Sequence, residues 1–225
     1  RYPMIKATDW VRNPEGKIIV DPVTGLPKAG DIVAVGTSDP TVRIGLNSVM
    51  KWKGFSLAAT FDYRGGHYTR PSSEYNMLFT GASYISGISG RQRFVFPNSV
   101  IEETDASGNV TYRENTDITV NDAGKTFWNG IYKQGRANQI ISAASWRLRE
   151  LSLGYDVPKK YLKKVGFLQR ASVSLVGRNL FMWTPSTNIW GDPDFTGSGN
   201  GNVGGFSGTN NVGQRSYGFN LLLSF

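Results

Sequence analysis

The sequence predicts an all-β chain made of long antiparallel strands. Apolar and polar residues alternate over stretches of about ten residues, the connections between these stretches alternate in length, and aromatic residues recur at a fixed spacing within them. Of the 225 residues, 12 % are aromatic and 27 are Gly, a composition typical of β-structure with long loops. No apolar run reaches the ~18 residues of a membrane helix, which excludes an α-helical membrane protein but leaves a transmembrane β-barrel possible.

Five segments carry the alternating pattern and are predicted to pair antiparallel, in sequence order, as one curved sheet. The predicted strands lie at about 41–52, 54–66, 145–156, 171–183 and 214–225. The side chains predicted to share the apolar face are, for example, Leu57, Phe61, Leu153, Leu175, Leu221 and Leu223. Between the third and fourth strands, Pro158 and Gly166 bracket a short predicted helix.

The connections between these strands alternate in length. They are short at 51–54, long at about 67–144, medium at 156–170 and long again at about 184–213. Transmembrane barrels show this asymmetry, with short turns on the periplasmic side and long loops outside. The segments 67–144 and 184–213 are therefore predicted to be long extracellular loops without a core of their own. Turn residues predict a small hairpin around Asp105-Ala-Ser-Gly-Asn109 in the first and another around Asn13-Pro-Glu-Gly16 near the start of the chain, and the Gly-rich run 197–202 is predicted to be loop.

Aromatic spacing supports a membrane location. Phe55 and Tyr63 lie eight residues apart on one predicted face, as do Tyr217 and Phe225. Eight residues of a tilted strand span roughly 20 Å, close to the height of the apolar band between two aromatic girdles. A soluble sandwich with one buried face would alternate in the same way, but it predicts neither this spacing nor the loop asymmetry.

Five strands cannot close a barrel. Antiparallel strands in hydrocarbon must not leave open edges, because each unpaired N–H and C=O group costs several kcal/mol. Single-chain bacterial barrels use even strand numbers from eight upward. The remaining strands must come from the rest of a longer polypeptide or from further copies of the chain, and the first alternative is favoured.

Charge and cysteine content narrow the function class. The chain has a formal net charge of +8 and no cysteine. The absence of cysteine excludes disulfides, thiolate catalysis and cysteine-based metal sites. Nucleic-acid binding is not predicted, since no recognition motif accompanies the basic residues; a basic rim facing lipid and lipopolysaccharide headgroups is favoured. One local basic cluster is present, at Lys159, Lys160, Lys163 and Lys164.

Several short motifs follow one another in a fixed order along the chain. The motifs of the last eighty residues are Ala144-Ser-Trp-Arg-Leu-Arg-Glu-Leu-Ser-Leu-Gly-Tyr155 with Pro158, Gly177-Arg-Asn-Leu-Phe181, Asp192-Pro-Asp194, and Arg215-Ser-Tyr-Gly-Phe-Asn-Leu221 with Phe225. Upstream lie Asp39-Pro40, Gly45-Leu46-Asn47 and Trp52-Lys53-Gly54-Phe55. Each motif is weak alone, but together their order and spacing resemble the C-terminal region of SusC/RagA-type TonB-linked outer-membrane transporters, whereas 67–143 carries almost none of the resemblance.

The resemblance implies the C-terminal segment of a large barrel of about twenty-two strands around an N-terminal plug. It further implies the outer membrane of a Gram-negative, Bacteroidetes-like bacterium and TonB-dependent import of oligosaccharides, oligopeptides or other large nutrients. The implied partners are the rest of the barrel and its plug, a SusD-like surface lipoprotein, TonB acting through the preceding part of the polypeptide, and the barrel-assembly machinery. An outer-membrane structural, adhesin or multi-chain barrel module without energised transport remains the alternative, and a soluble sugar-binding sandwich is a more distant one.

Neither an enzyme nor a cofactor site is predicted. The single histidine, His67, follows a strand end beside Gly65-Gly66, where a plain loop residue is the simpler interpretation. Asp192 and Asp194 resemble the start of a calcium loop, but the twelfth position is Val203 where the loop needs Glu. These two carboxylates are therefore predicted to shape the loop, with a calcium ion as the alternative.

Three sets of residues are the candidates for function. The first could stack on a ligand from the loops, although packing among loops or on a lid protein explains them as well; these are Trp183, Trp190, Tyr75, Phe79 and Tyr84. The second should face the barrel lumen, where charge is tolerated, and consists of Arg43, Asp62 and Arg178. By the family resemblance, the third matches the signal that barrel-assembly machinery reads on a last strand: Ser216, Gly218, Leu221, Leu223 and Phe225.

Overall fold

The computed structural model describes residues 3–121, 125–164, 166–194, 205–207 and 213–225. The Gly-rich run at 197–202, predicted to be loop, and part of the predicted 184–213 loop lie outside these residues. No described helix is long and apolar enough to cross a membrane.

Strands dominate the described residues, and the helices are short. The strands are β1 Met4–Trp10, β2 Ile18–Val20, β3 Ala29–Thr37, β4 Val42–Trp52, β5 Phe55–Gly65, β6 Tyr68–Pro71, β7 Ser99–Thr104, β8 Val110–Glu114, β9 Ile141–Ser142, β10 Ser145–Asp156, β11 Arg170–Trp183, β12 Phe206–Ser207 and β13 Ser216–Ser224. The α-helices are α1 Ser72–Phe79, α2 Lys125–Asn129 and α3 Lys159–Leu162, and 3-10 segments cover Tyr84–Gly87 and Ile131–Gln139.

The chain divides into two compact units. The first comprises the described residues within Arg1–Ser38, Tyr68–Ile141 and Thr196–Thr209. The second comprises those within Asp39–His67, Ser142–Phe195 and Asn210–Phe225.

The second unit is built on one five-stranded antiparallel sheet, in the order β13-β11-β10-β5-β4. The five predicted strands and their pairing in sequence order are thereby confirmed. A two-residue turn joins β4 to β5, with positive φ at both Lys53 (46°) and Gly54 (91°), the geometry that matches the twist of a tight hairpin. The predicted helix is also present, with Pro158 at its N-cap, but it ends at Leu162.

The two faces of this sheet differ in chemistry. The register places Leu46 opposite Phe61 and Phe61 opposite Leu148, and it places Leu175 opposite Leu153 and Phe219, so that all six share one face. Most side chains on this face are open, with Leu46 57 %, Leu175 56 % and Leu221 59 % exposed, whereas Leu148 is buried. The other face carries most of the polar residues of the sheet, together with the exposed apolar residues Val49 and Leu222.

Two aromatic rows cross the apolar face. At the end of the sheet that carries the long connections, Tyr63 pairs with Trp146, ring to ring at 4.6 Å, and Trp146 pairs with Trp183. At the end with the short turn, Phe55 and Tyr155 are also 4.6 Å apart.

The first unit has a hydrophobic core, which the sequence did not lead us to expect. Residues 68–141, predicted to be a loop without a core, pack together with residues of 1–38. Trp10 contacts the edge of Phe96 at 5.4 Å, and Phe127 joins both rings. Val20 and Val120 are fully buried beside them.

Short strands frame this core. β7 and β8 form the hairpin expected around Asp105-Ala-Ser-Gly-Asn109. The hairpin expected around Asn13-Pro-Glu-Gly16 is present as a short turn, with an antiparallel bridge between Arg12 and Ile18 and backbone hydrogen bonds from Asn13 to Lys17 and from Ile19 to Val11. β2 also pairs in parallel with β7. β1 pairs with β3, and β6 pairs in parallel with β12.

Candidate functional site

The polar face of the second unit's sheet carries a cluster of three arginines and three aspartates, which we call the Arg–Asp cluster. Its members are Asp62, Arg64, Arg147, Arg149, Asp192 and Asp194. Two of the arginines come from β10, Asp62 and Arg64 come from β5, and the other two carboxylates follow β11. The cluster therefore fastens the segment after β11 to the sheet.

Arg147 is the most buried member of the cluster, its side chain being 6 % exposed. Its guanidinium binds Asp192 through two nitrogens, Nη2 to Oδ1 and Nη1 to Oδ2, the second at 2.7 Å. Its Nε lies 3.3 Å from Asp194 Oδ2, an ion-pair distance without hydrogen-bond geometry. Bidentate pairing of this kind fixes orientation as well as distance.

Arg149 bridges a carboxylate on β5 and a carboxylate from the segment after β11. Its Nη2 donates to Asp62 Oδ2 at 2.6 Å and to Asp194 Oδ2 at 2.7 Å. Arg64 makes the same connection more loosely, at 3.4 Å to Asp62 and 3.2 Å to Asp194. Each of the two carboxylates therefore has two or more cationic neighbours.

An irregularity in β10 brings Arg147 and Arg149 to the same face as Asp62. Strict alternation would place both arginines on the apolar face with Leu151. The pairing of β10 with β5 shifts register between Leu148 and Glu150, so that Arg149 is an extra residue on β10. Such a bulge re-aims side chains locally.

The Asp192-Pro-Asp194 turn is held by its own hydrogen bond as well. The backbone N–H of Asp194 donates to Asp192 Oδ1 at 2.9 Å. Burial by itself raises the pKa of Asp192, but this bond, the Arg147 hydrogen bonds and the charges of Arg147 and Arg149 outweigh it and hold the pKa below its ordinary value.

The surroundings of these two carboxylates bear on the calcium alternative. Both are already neutralised by arginines, which repel a cation. Within the described residues, no group of three or more His, Asp or Glu side chains is arranged to hold a metal ion. Most of the candidate calcium loop, including Val203, lies outside the described residues, so the roles of Asp192 and Asp194 as loop-shaping or calcium-binding residues stay predictions.

The three residues predicted to face the lumen share the polar face. Arg43 lies opposite Arg64 in the register, and Asp62 is part of the Arg–Asp cluster. Arg178 donates to Glu150 across β11 and β10 at 2.9 Å, and both side chains are exposed. A lumen itself is not part of the described structure, so this role stays a prediction.

Three of the five predicted ligand-contact aromatics lie in the first unit. Tyr75 and Phe79, one turn apart on α1, stack at 5.7 Å. The Lys133 ammonium lies 4.4 Å from the Tyr75 ring centre. Tyr84 is 70 % exposed, which leaves its ring open to a ligand.

The other two aromatics belong to the second unit. Trp183 stands on the apolar face beside Trp146 and stacks on Phe181 at 5.9 Å. Trp190 is half-buried, and its backbone N–H donates to Asn188 Oδ1 at 3.3 Å. Ligand contact by any of the five stays a prediction.

The last strand has the expected two faces. Leu221 and Leu223 lie opposite Val173 and Ala171 on the apolar face, whereas Ser216 and Gly218 lie on the polar one. Phe225 follows the strand, is 70 % exposed and stacks on Phe167 at 5.9 Å. The assembly role of these residues stays a prediction, and the Phe167 contact gives the anchoring alternative a physical partner.

His67 lies in the short connection between β5 and β6, as predicted, but its side chain is buried. It is 7 % exposed, and its carbonyl accepts a hydrogen bond from the Ala143 N–H at 2.9 Å. Burial lowers the pKa of its imidazole, which favours the neutral form. Nothing described at this position forms a nucleophile–base pair.

The sequence analysis missed the cationic half of the Arg–Asp cluster. Arg64, Arg147 and Arg149 were not candidates, because strict alternation assigns the last two to the apolar face. That conflict was itself a signal: strict alternation separates the apolar Trp146 and Leu148 from Leu151 and puts two arginines on the face of Leu151, which indicates a bulge.

Comparisons with known proteins identify the fold. No family model matches the chain, and no curated protein matches it. Solved structures do: the RagAB peptide importer in a closed-closed state superposes with a TM-score of 0.58 over 98 % of this chain at 17 % identity. Its open-open state gives 0.58 at 18 % identity, and a further RagAB peptide transporter structure gives 0.56 at 16 %. The chain spans 22–23 % of the length of those chains and has the fold of the corresponding part of them.

Proposed function

We propose that the chain is the C-terminal part of the barrel of a TonB-dependent outer-membrane importer for large nutrients, oligopeptides or oligosaccharides. The observation that carries the proposal is the two-faced antiparallel sheet of the second unit. Its apolar side chains stand open along one face between two aromatic rows, the arrangement suited to a lipid-facing barrel wall. Similarity of fold to part of a peptide importer supports it.

The polar face would line the lumen. It carries the Arg–Asp cluster, and paired charge of this kind belongs where water is present, not in hydrocarbon. Within the described sheet, β4 and β13 each have one partner only, so both edges are open. We infer that further strands of a longer polypeptide cover these edges, because open edges do not persist in lipid.

The long connections would face the outside of the cell. β5, β10, β11 and β13 all meet them at one end of the sheet, and the tight β4–β5 turn lies at the other, as in outer-membrane barrels. We propose that this side meets a SusD-like surface lipoprotein and the incoming nutrient. A plug and TonB would act through the rest of the polypeptide, and barrel-assembly machinery would insert it.

The first test concerns the complete polypeptide in its native cells. A chain of 24.8 kDa that spans 23 % of its structural relative implies a full length of roughly 100 kDa. We expect a band of that size in the outer-membrane fraction and uptake of a peptide mixture that stops when TonB is inactivated. Outer-membrane localisation with no TonB-dependent uptake of peptides or oligosaccharides would favour a structural or adhesin module instead.

The second test concerns the two faces of the sheet. Leu221→Arg places a charge on the face assigned to lipid, which costs roughly 2–4 kcal/mol near the bilayer midplane. Asn220→Arg, one residue away on the other face, is the matched control. We expect the first variant to lower the yield of folded barrel and the second to leave it unchanged; equal yields would overturn the assignment of faces.

A further inference from the structure

The end of the second unit's sheet that carries the tight β4–β5 turn also carries a concentration of lysines, which we call the basic rim. The Asp156 N–H, at the end of β10, donates to the Gly54 carbonyl at 2.8 Å, so the turn and the β10–β11 connection lie side by side. The rim consists of five exposed lysines, one from the turn and four from α3 and the residues that follow it: Lys53, Lys159, Lys160, Lys163 and Lys164.

The positive charge of the basic rim is not compensated by neighbouring carboxylates. Asp156 is the only acidic residue within 51–56 and 156–170, and it pairs with Arg170 at 3.4 Å. Among the described residues, none of the five lysines forms an ion pair. Lys159 and Lys163 are four positions apart, a spacing at which like charges destabilise a helix. The chain therefore retains a local repulsion that only an external anion relieves.

The rim is a defined surface, because α3 is fastened to the sheet. Leu162 is 6 % exposed, and α3 contacts β11. The Lys163 N–H donates to the Lys159 carbonyl at 3.1 Å, and just before the helix the Val157 N–H donates to the Ala171 carbonyl at 2.9 Å. A ligand that binds the lysines therefore meets charges on a backbone that is already ordered, which reduces the entropy lost on binding.

Exposed aromatic rings lie among these lysines. The Lys53 ammonium is 4.8 Å from the Trp52 ring centre, and the Lys160 ammonium is 4.7 Å from the Tyr161 ring centre. Both rings are exposed, and Trp52 lies opposite Phe55 on the apolar face of the sheet. Lysines with long apolar stems and amphipathic aromatic rings are the side chains that suit the boundary between hydrocarbon and lipid headgroups.

We propose that the basic rim binds the phosphate groups of anionic phospholipids in the leaflet at the short-turn end of the sheet. An ammonium group is a compact charge with three donors, which suits phosphate oxygens, and the rim continues directly from the apolar face. The choice of lipid rests on the proposed function, which turns this end towards the periplasm. There the leaflet of an outer membrane consists of phospholipid, whereas lipopolysaccharide occupies the opposite leaflet.

The test is photo-crosslinking from within the rim, with p-benzoylphenylalanine in place of Tyr161 in the complete polypeptide. The purified protein is placed in phosphatidylcholine vesicles that contain about 10 % phosphatidylglycerol, and mass spectrometry identifies the lipid adducts. We expect phosphatidylglycerol adducts to be enriched about tenfold over the bulk lipid ratio at about 0.1 M NaCl. The enrichment should fall towards the bulk ratio at about 1 M NaCl, because salt screens exposed charges.

Two double variants locate the binding. Lys159→Gln with Lys163→Gln removes two cations of the rim and should bring the adducts close to the bulk lipid ratio. Arg43→Gln with Lys51→Gln removes two exposed cations of β4, which lie on the polar face of the sheet, and should leave the enrichment unchanged. Thermal melting shows whether each variant is folded, and the salt titration tests the same electrostatics without these substitutions.

Crosslinking in intact cells then identifies the leaflet. We expect phospholipid adducts at Tyr161 and no lipopolysaccharide adducts. Lipopolysaccharide adducts in cells, adducts at the bulk lipid ratio in vesicles, or equal loss in both double variants would overturn the proposal.

The proposed function can fail separately. TonB-dependent uptake with adducts at the bulk lipid ratio refutes the lipid site alone. Enriched phospholipid adducts without TonB-dependent uptake refute the transport function alone.

Discussion

Replacing Arg147 by Met should release the segment after β11 from the sheet. The Arg147 side chain is 6 % exposed and binds Asp192 with two hydrogen bonds, while Asp194 lies at 3.3 Å. The substitution keeps most of the side-chain volume and removes the positive charge. The carboxylates of Asp192 and Asp194, which are 16 % and 17 % exposed, then lose one of their cationic partners. Breaking a buried ion pair from one side costs roughly 3–5 kcal/mol, and the residual exposure of the carboxylates favours the lower end, about 3 kcal/mol.

Arg178→Met is the matched control for Arg147→Met. It also removes an arginine that pairs across the polar face, but Arg178 and Glu150 are 64 % and 42 % exposed. Exposed pairs contribute about 0–1 kcal/mol, because water already solvates both charges. The two substitutions therefore differ in burial and hardly in chemistry.

Hydrogen exchange of residues 184–194 in the complete polypeptide measures the release. The Asp194 N–H, bonded to Asp192 Oδ1 at 2.9 Å, is the natural reporter. A loss of about 3 kcal/mol in local stability corresponds to exchange about 100-fold faster, against less than about tenfold for the control. Equal acceleration by the two variants, or none by Arg147→Met, would refute the reasoning that burial makes this pair strong.

Three further predictions concern other parts of the chain. Burial raises the pKa of Glu74 from 4.5 to about 7, so its contribution to stability is fully present below about pH 4.5 and is lost as pH rises through 7. Glu74→Gln should therefore remove on the order of 3 kcal/mol from the pH dependence of the free energy of unfolding, measured by denaturant melts between about pH 4 and pH 8; an unchanged dependence would contradict the raised pKa. Gly135→Ala should lower the melting temperature by the equivalent of roughly 1–3 kcal/mol, because its Cβ would overlap the Trp10 indole; an unchanged melting curve would contradict this packing. Deleting Phe225 should slow barrel assembly while leaving assembled barrels nearly as heat-stable, whereas Phe167→Ala, which removes only its stacking partner, should leave assembly kinetics normal; the opposite pattern would favour simple anchoring.

The sheet of the second unit could be predicted from the sequence because its strands are long and alternate cleanly. Two faces with different surroundings force period-2 patterning over nine residues or more in β4, β5 and β13. The tight turn at Lys53 and Gly54 fixes β4 and β5 as neighbours. The other pairs join strands across long connections, and their order follows from the tendency of successive antiparallel strands to lie side by side.

The first unit could not be predicted in this way, because its order comes from contacts distant in sequence. β2 has three residues and pairs in parallel with β7, some eighty positions further on. Trp10, Phe96 and Phe127 meet in one core, although none of them lies in a long periodic stretch. Short strands give little alternation to detect, and parallel pairing leaves no turn signal between partners.

The Arg–Asp cluster could not be predicted from the sequence for a more specific reason. Its position depends on one extra residue at Arg149, and a bulge shifts every side chain beyond it to the opposite face relative to strict alternation. If side chains are assigned to faces by alternation counted back from the C-terminal half of β10, the assignment is correct as far as Glu150 and wrong for Arg147. The sequence shows that alternation fails in this strand but not which residue is the extra one.

The bulge and the Asp192-Pro-Asp194 turn also depend on each other electrostatically. Without the turn, Arg64, Arg147 and Arg149 would share their part of the sheet face with Asp62 alone, which leaves two uncompensated positive charges in a half-buried space. With the turn in place the cluster contains three charges of each sign. The bulge costs free energy because the extra residue loses its hydrogen bonds to the neighbouring strand, and ordering the turn costs conformational entropy. The ion pairs of the cluster offset both costs. Strand and turn thus form one cooperative junction, so that neutralising the two turn carboxylates must loosen β10 at the bulge as well as the turn itself.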